Sequence, residues 1–151
     1  YTTLFRSVSL LRGARYPDPE ADQGRHRVTI AILPHGPGLT EVLAEAEALN
    51  VPVRVVPAGG ATVPPPVVTV DHPGVQLSAV KRADDASGDL VVRLYEACGD
   101  RAAVTVRTAA PIRSAARCNA LEEVDATLDV ADGIVAITLR PYELVTLRLT
   151  S

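Results

Sequence analysis

Residues 128–150, LDVADGIVAITLRPYELVTLRLT, carry the clearest fold signal in the chain. Apolar runs flank Asp132-Gly133, and an Asp-Gly pair suits a type I′ hairpin turn because both central residues of that turn need a positive φ. The final run alternates, with Val145, Leu147 and Leu149 on one face and Leu144, Thr146 and Arg148 on the other. A period of two residues is typical of a strand with one buried face. The strands predicted here are 125–130, 134–140 and 143–150.

The same pattern extends upstream as far as Val67. Short apolar runs are separated by turns rich in Asp, Gly and Pro, which is typical of antiparallel strands. The further predicted strands are 67–71, 75–83, 89–97, 102–109 and 112–119. Many short strands at close spacing favour a sandwich of two sheets. We therefore predict an all-β fold, mainly an antiparallel β-sandwich, with one helix in the N-terminal third.

That helix is predicted from apolar residues at helical spacing, namely Leu39, Val42, Leu43, Ala46 and Leu49. Thr40 is a plausible N-cap. The helix should end near Asn50, because Pro52 cannot continue it. Strands are also predicted at 5–13 and 25–33, and residues 51–56 read as a short extended segment. The Gly- and Pro-rich residues 58–66 read as a linker between this first part, 1–57, and a sandwich over 67–151.

Composition excludes several function classes. The 151 residues carry a net charge of −3 with interspersed charges, so there is no basic stripe for nucleic acid. No apolar run is long enough to span a membrane, and the first eleven residues do not form a signal peptide. Only 3% of residues are aromatic and Trp is absent, which argues against a sugar-binding module built on stacking. Cys98 and Cys118 read as ordinary thiols, which favours a reducing, cytoplasmic location.

A search for chemistry along the chain finds no active-site motif. Asp18, Glu20 and Asp22 are spaced like the start of a calcium loop, but the required Gly and terminal Glu are missing, so a solvated turn is predicted. The three histidines have no metal-ligand spacing, and no metal site is predicted. The adjacent pairs Glu122-Glu123 and Asp84-Asp85 would point to opposite faces of a strand and are read as solvated hairpin ends. We predict no catalytic residue in the chain.

Several segments resemble the C-terminal region of glycoside hydrolase family 38 α-mannosidases. Residues 9–35, SLLRGARYPDPEADQGRHRVTIAILPH, are similar to a run in bacterial and vacuolar-type members. The resemblance continues, in order, through EALNVPVRVV, VDHPGVQLSAVKRADD, GDLVVRLYEACGDRA and LRPYELVTLRL. It implies that 1–57 is the end of a central β-sandwich domain and that 67–151 is a C-terminal β-sandwich.

The resemblance also implies that this chain is a C-terminal accessory domain of a retaining α-mannosidase, an enzyme that hydrolyses terminal α-mannosides, and that it lacks the catalytic centre. The catalytic groups of such a retaining α-mannosidase, including a zinc ion, would lie in an N-terminal catalytic domain of the same protein, which would be the partner of this chain. The 151 residues alone are predicted to be inactive. The loop at 12–22 could supply sugar contacts to an α-mannoside substrate through Arg12, Tyr16, Asp18 or Asp22. The alternatives are a free-standing carbohydrate-binding sandwich and a structural interaction sandwich that forms homo-oligomers.

Overall fold

A computed structural model describes residues 8–55, 57, 59–60 and 62–151. The chain divides into two compact units, one up to Pro34 and the other comprising His35–Ser151. The predicted three-part organisation into 1–57, 58–66 and 67–151 stays a prediction. Part of the linker, of the predicted strand 5–13 and of the extended segment 51–56 lies outside the described residues.

The predicted strands in the N-terminal third are wrong where the structure describes them. Residues 8–13 and 25–33 have no strand hydrogen bonding, and the extended segment at 51–55 also pairs with no strand. Their apolar side chains point to solvent, with Ile32 91% exposed and Val53 90% exposed. A strand needs a neighbour to satisfy its N–H and C=O groups, and the described residues offer these segments no such partner.

The predicted helix is confirmed as α1, Thr40–Asn50, and it ends at the predicted residue. Its N-cap is Leu39 rather than Thr40, and no side chain caps the helix. None of its residues is fully buried, and Leu49 is 50% exposed, so the predicted apolar face is only partly covered. Among the residues that the structure describes, no helix is both long and apolar enough to cross a membrane.

The eight strands from residue 68 onward confirm the predicted all-β sandwich, each within two residues of its predicted bounds. They are β1 Val68–Val70, β2 Val75–Arg82, β3 Leu90–Glu96, β4 Ala102–Thr108, β5 Ser114–Cys118, β6 Val124–Leu128, β7 Ile134–Leu139 and β8 Leu144–Thr150. One sheet has the order β1-β4-β7 and the other the order β2-β3-β8-β5-β6. Every neighbouring pair is antiparallel.

The hydrophobic core lies between the two sheets. Alternate residues of each central strand face inward, as the period-two pattern predicts. In β8, Val145, Leu147 and Leu149 are at most 2% exposed, whereas Leu144 on the other face is 57% exposed. Their main partners are Val92, Leu94, Val104, Val106, Val135 and Leu139.

The Asp132-Gly133 turn has the predicted geometry but does not connect paired strands. Asp132 has φ 52° and Gly133 has φ 71°, and Ala131 and Ile134 exchange backbone hydrogen bonds of 3.1 and 2.9 Å. The strand before the turn, β6, pairs with β5, and the strand after it, β7, pairs with β4. The turn is therefore a corner at which the chain passes from one sheet to the other.

Candidate functional site

The predicted sugar-binding loop forms a closed turn within the first unit. Asp22 Oδ2 accepts a hydrogen bond of 3.2 Å from the backbone N–H of Gly13 and so joins the two ends of the loop. Asp18 Oδ1 accepts from the N–H of Glu20 at 2.9 Å, which is an Asx-type turn. These bonds confirm the predicted turn.

The four predicted site residues therefore divide into two groups. Asp18 and Asp22 use their carboxylates to shape the loop. Arg12 and Tyr16 are exposed, the latter 89%, and their side chains make no hydrogen bond within the described residues. The loop thus presents a guanidinium and a phenol to solvent, and their contact with a sugar stays a prediction.

An ion-pair network covers the outer face of the five-stranded sheet. Glu122, in the loop between β5 and β6, places Oε1 2.6 Å from Nζ of Lys81 on β2. Its Oε2 accepts a 3.0 Å hydrogen bond from the N–H of Asp84, in the loop between β2 and β3. The ammonium of Lys81 and the N–H of Asp84 hold the pKa of Glu122 below its ordinary value. The predicted solvated role is wrong for Glu122, which is 7% exposed.

Arg148 of β8 extends this ion-pair network on the same face of the sheet. Its Nε donates to Asp89 at 2.6 Å, and its Nη2 donates to Asp85 at 2.6 Å and to Ser87 at 3.0 Å. The N–H and hydroxyl of Ser87, together with Arg148, lower the pKa of Asp85 to about 2. Asp84 and Asp85 lie at the end of the β2–β3 hairpin, as predicted. The same loop also binds Arg148 on the outer face of the sheet through Asp85.

Glu96 and Glu143 anchor loops at one end of the sandwich. Glu96 is 1% exposed and accepts backbone hydrogen bonds from Cys98 and Gly99 at 2.8 Å and from Tyr142 at 3.0 Å. Burial opposes ionisation of Glu96, but these backbone N–H donors outweigh it and lower its pKa. Sequence patterns gave no sign of either anchor, because each also depends on a distant residue: Tyr142 is 46 residues from Glu96, and Arg117 is 26 residues from Glu143.

The electrostatics of the sandwich do not resemble those of a glycosidase acid. Such an acid needs a raised pKa in order to hold its proton near neutral pH. Every carboxyl with a shifted pKa is shifted downward, namely Asp71, Asp85, Glu96, Glu122 and Glu143. These carboxylates accept hydrogen bonds and act as structural anchors.

The thiols and histidines form no metal centre in the part of the chain that the structure describes. Cys98 is half-buried and Cys118 is buried, both are free, and burial raises the pKa of each thiol. No group of three or more His, Cys, Asp or Glu side chains converges among the described residues. The family resemblance places its zinc ion in a separate catalytic domain, so the location of that ion stays a prediction. His72 lies in the turn before β2, as predicted, and its Nδ1 accepts from Gly74 N at 3.1 Å.

A cavity of about 290 Å³ lies between α1 and the edge of the five-stranded sheet. It was not predicted from sequence. The helix contributes Leu43, Ala46, Glu47 and Asn50, which share one face at spacings of three and four residues. The remaining lining residues are Val51, Gln76, Leu77 and Tyr95.

The fold defines the class of protein, which is an antiparallel β-sandwich domain with an attached helix. Residues 74–147 match the family model of the glycosyl hydrolases family 38 C-terminal β-sandwich domain. Residues 74–147 therefore carry the C-terminal β-sandwich domain of glycosyl hydrolase family 38.

The similar curated proteins are all α-mannosidases. Alpha-mannosidase 2C1 of Mus musculus is 36% identical over 95% of this chain and 14% of its own length. Alpha-mannosidase 2C1 of Homo sapiens is 34% identical with the same coverage. Alpha-mannosidase G of Dictyostelium discoideum is 28% identical over 100% of this chain and 15% of its own length. The chain thus spans about one-seventh of the length of the curated relatives it matches.

Proposed function

We propose that this chain is an accessory domain of a longer retaining α-mannosidase of carbohydrate metabolism and has no catalytic centre of its own. The observation that carries the proposal is the match to α-mannosidases over 95% of this chain but only 14% of their length. The downward-shifted carboxyls support it, because they act as anchors and not as proton donors. The domain would support a separate catalytic part of the same protein.

The exposed apolar segments of the N-terminal third support such a partner. Val28, Ile30 and Ile32 alternate along the chain and are 55%, 60% and 91% exposed. Val53 and Val55 repeat the pattern at 90% and 91%. Apolar alternation suits a strand packed against a core, so we propose that these segments complete a sheet with another part of the longer protein, as the end of its central β-sandwich.

The test is hydrolysis of a chromogenic α-mannoside, with zinc added, by this chain and by a longer family protein that contains it. We expect activity only in the longer protein. Deleting this region from the longer protein should reduce activity or soluble yield, and co-expression of the chain should restore part of it. Hydrolysis by the 151-residue chain alone would contradict the proposal.

Within that longer enzyme, we propose that the loop at 12–22 contacts the mannoside through Arg12 and Tyr16. Asp18 and Asp22 act as positioning residues, because their carboxylates hold the loop closed. Arg12→Ala should raise KM for the mannoside, whereas the matched control Arg15→Ala, an exposed arginine of the same loop, should not. Equal KM values for wild type, Arg12→Ala and Asp18→Ala would contradict this proposal and would favour a role of the loop in the contact between domains.

The remaining parts of the proposal concern the whole protein. Zinc, which would help to bind the sugar, belongs to the catalytic part and not to this chain. A cytoplasmic location is supported by the two free cysteines. We also propose that the longer protein forms homo-oligomers, and light scattering of the purified enzyme would measure its oligomeric state.

A further inference from the structure

We propose that the cavity beside α1 binds a single pyranose ring, which gives this domain a sugar site of its own. The cavity of about 290 Å³ is at the lower limit of small-ligand pockets. A ligand of the size of one sugar ring would fit this volume. The lining combines one aromatic ring, aliphatic side chains and several polar groups, which is the mixture that an amphipathic sugar ring requires.

Tyr95 supplies the apolar platform of the site. It lies on β3 opposite Gln76 of β2, so that the two side chains share one face of the sheet. Tyr95 is 39% exposed, and its other cross-strand neighbour on this face is Leu144 of β8. A partly exposed tyrosine held in a regular strand is a rigid surface against which the C–H face of a pyranose can pack. The low aromatic content of the chain does not prevent this, because one ring is sufficient.

Polar groups face this platform from the helix and from the strand. Asn50 donates one amide N–H to the carbonyl of Ala46 at 2.8 Å, which leaves its other N–H and its oxygen for a ligand. Gln76 Nε2 makes only a long contact of 3.4 Å to Pro73 O. Glu47 is exposed, and its carboxylate makes no hydrogen bond or ion pair among the described residues, so it is open to a ligand.

The chemistry of these groups selects a neutral polyhydroxylated ring. A carboxylate and two amides offer both acceptors and donors, which suits hydroxyl groups. Glu47 disfavours an anionic ligand, and no basic side chain is among the described residues that line the cavity. Leu43, Leu77 and Ala46 cover the apolar parts of the ring. A mannoside is the natural first probe, because the named relatives are α-mannosidases. The inference does not depend on the proposed accessory function.

The test is a titration of the isotope-labelled 151-residue chain with methyl α-mannoside, followed by NMR. We expect saturable shifts of the backbone signals of Glu47, Gln76 and Tyr95, with a dissociation constant of about millimolar for a ligand of this size. Glu47→Gln and Tyr95→Leu should each weaken binding, the latter about tenfold. Glu45→Gln, on the same helix but outside the cavity, should leave the affinity unchanged.

Three results would overturn the proposal. One is the absence of saturable shifts at these residues. Another is equal affinity in Glu47→Gln, Tyr95→Leu and Glu45→Gln, which would place binding elsewhere. The third is an equal response to an acyclic polyol, which would show that no ring is recognised. Because the assay uses the chain without any catalytic part, its outcome is independent of whether the longer protein is an α-mannosidase.

Discussion

Removing the carboxylate of Glu143 should destabilise the sandwich only while that carboxylate is ionised in the wild type. Its side chain is 9% exposed, and Oε1 lies 2.7 Å from Arg117 Nη2 and 2.9 Å from Arg140 Nη2. Oε2 accepts from the backbone N–H of Arg140 at 2.7 Å. The N–H and guanidinium of Arg140, followed by Arg117, lower the pKa of Glu143 from 4.5 to about 2.

The size of the effect follows from this pKa. A folded-state pKa below the unfolded value stabilises the fold above the unfolded pKa and loses that stabilisation as the pH falls toward the folded pKa. At about 1.4 kcal/mol per pKa unit, the upper limit is about 3.4 kcal/mol. Arg117 is 38% exposed and Arg140 is 74% exposed, so solvent weakens both pairs. We therefore expect Glu143→Gln to cost about 1–2 kcal/mol at pH 7.

Urea denaturation between pH 7 and pH 3 measures this linkage. The stability difference between wild type and Glu143→Gln should be constant from pH 7 to about 5 and fall to less than half near pH 3. Asp129→Asn is the matched control, since Asp129 is exposed and also loses one negative charge. A difference that persists undiminished at pH 3 would refute the reasoning, because it would show that the ionised carboxylate is not the source of the stability.

Three further predictions test the core, a turn and the thiols. Leu147→Ala should lower the free energy of unfolding by about 2–5 kcal/mol in urea, against less than about 1 kcal/mol for the exposed neighbour Leu144→Ala. Gly99→Ala should cost about 1–2 kcal/mol, because Gly99 has φ +85°, which strains any other residue; an unchanged thermal midpoint would contradict this. In the folded chain an aromatic disulfide reagent should react with the half-buried Cys98 only, and Cys118 should react after denaturation.

The sandwich could be predicted from sequence because its strands carry local signals. Alternation within β8 and the turn residues between strands depend only on neighbours in the chain, so the bounds of all eight strands were predicted within two residues. The end of α1 at Asn50 could also be predicted from neighbouring residues, because Pro52 cannot continue the helix. Which strands pair with each other depends on residues far apart in the sequence. The Asp132-Gly133 turn therefore suggested a hairpin that the sheets do not form.

The interactions that shape the candidate sites were missed for a related reason. Glu122 is buried because Asp84, 38 residues away, and Lys81 converge on it. The cavity beside α1 depends on where a partly exposed helix meets the edge of the sheet, and helical periodicity does not contain that information. The strand predicted at 25–33 failed because alternation indicates only the capacity to form a strand, and a partner must satisfy its backbone.

The order of strands in the five-stranded sheet has a consequence for synthesis on the ribosome. β8, which follows the other seven strands in chain order, lies at the centre, with β3 on one side and β5 on the other. Until β8 emerges, β2-β3 and β5-β6 are separate two-stranded ribbons, which are marginal in water and have open edges. This sheet therefore cannot complete its folding before residues 144–150 are synthesised. A chain truncated before them would expose the edges of two separate two-stranded ribbons, and chaperones would bind it or proteases degrade it.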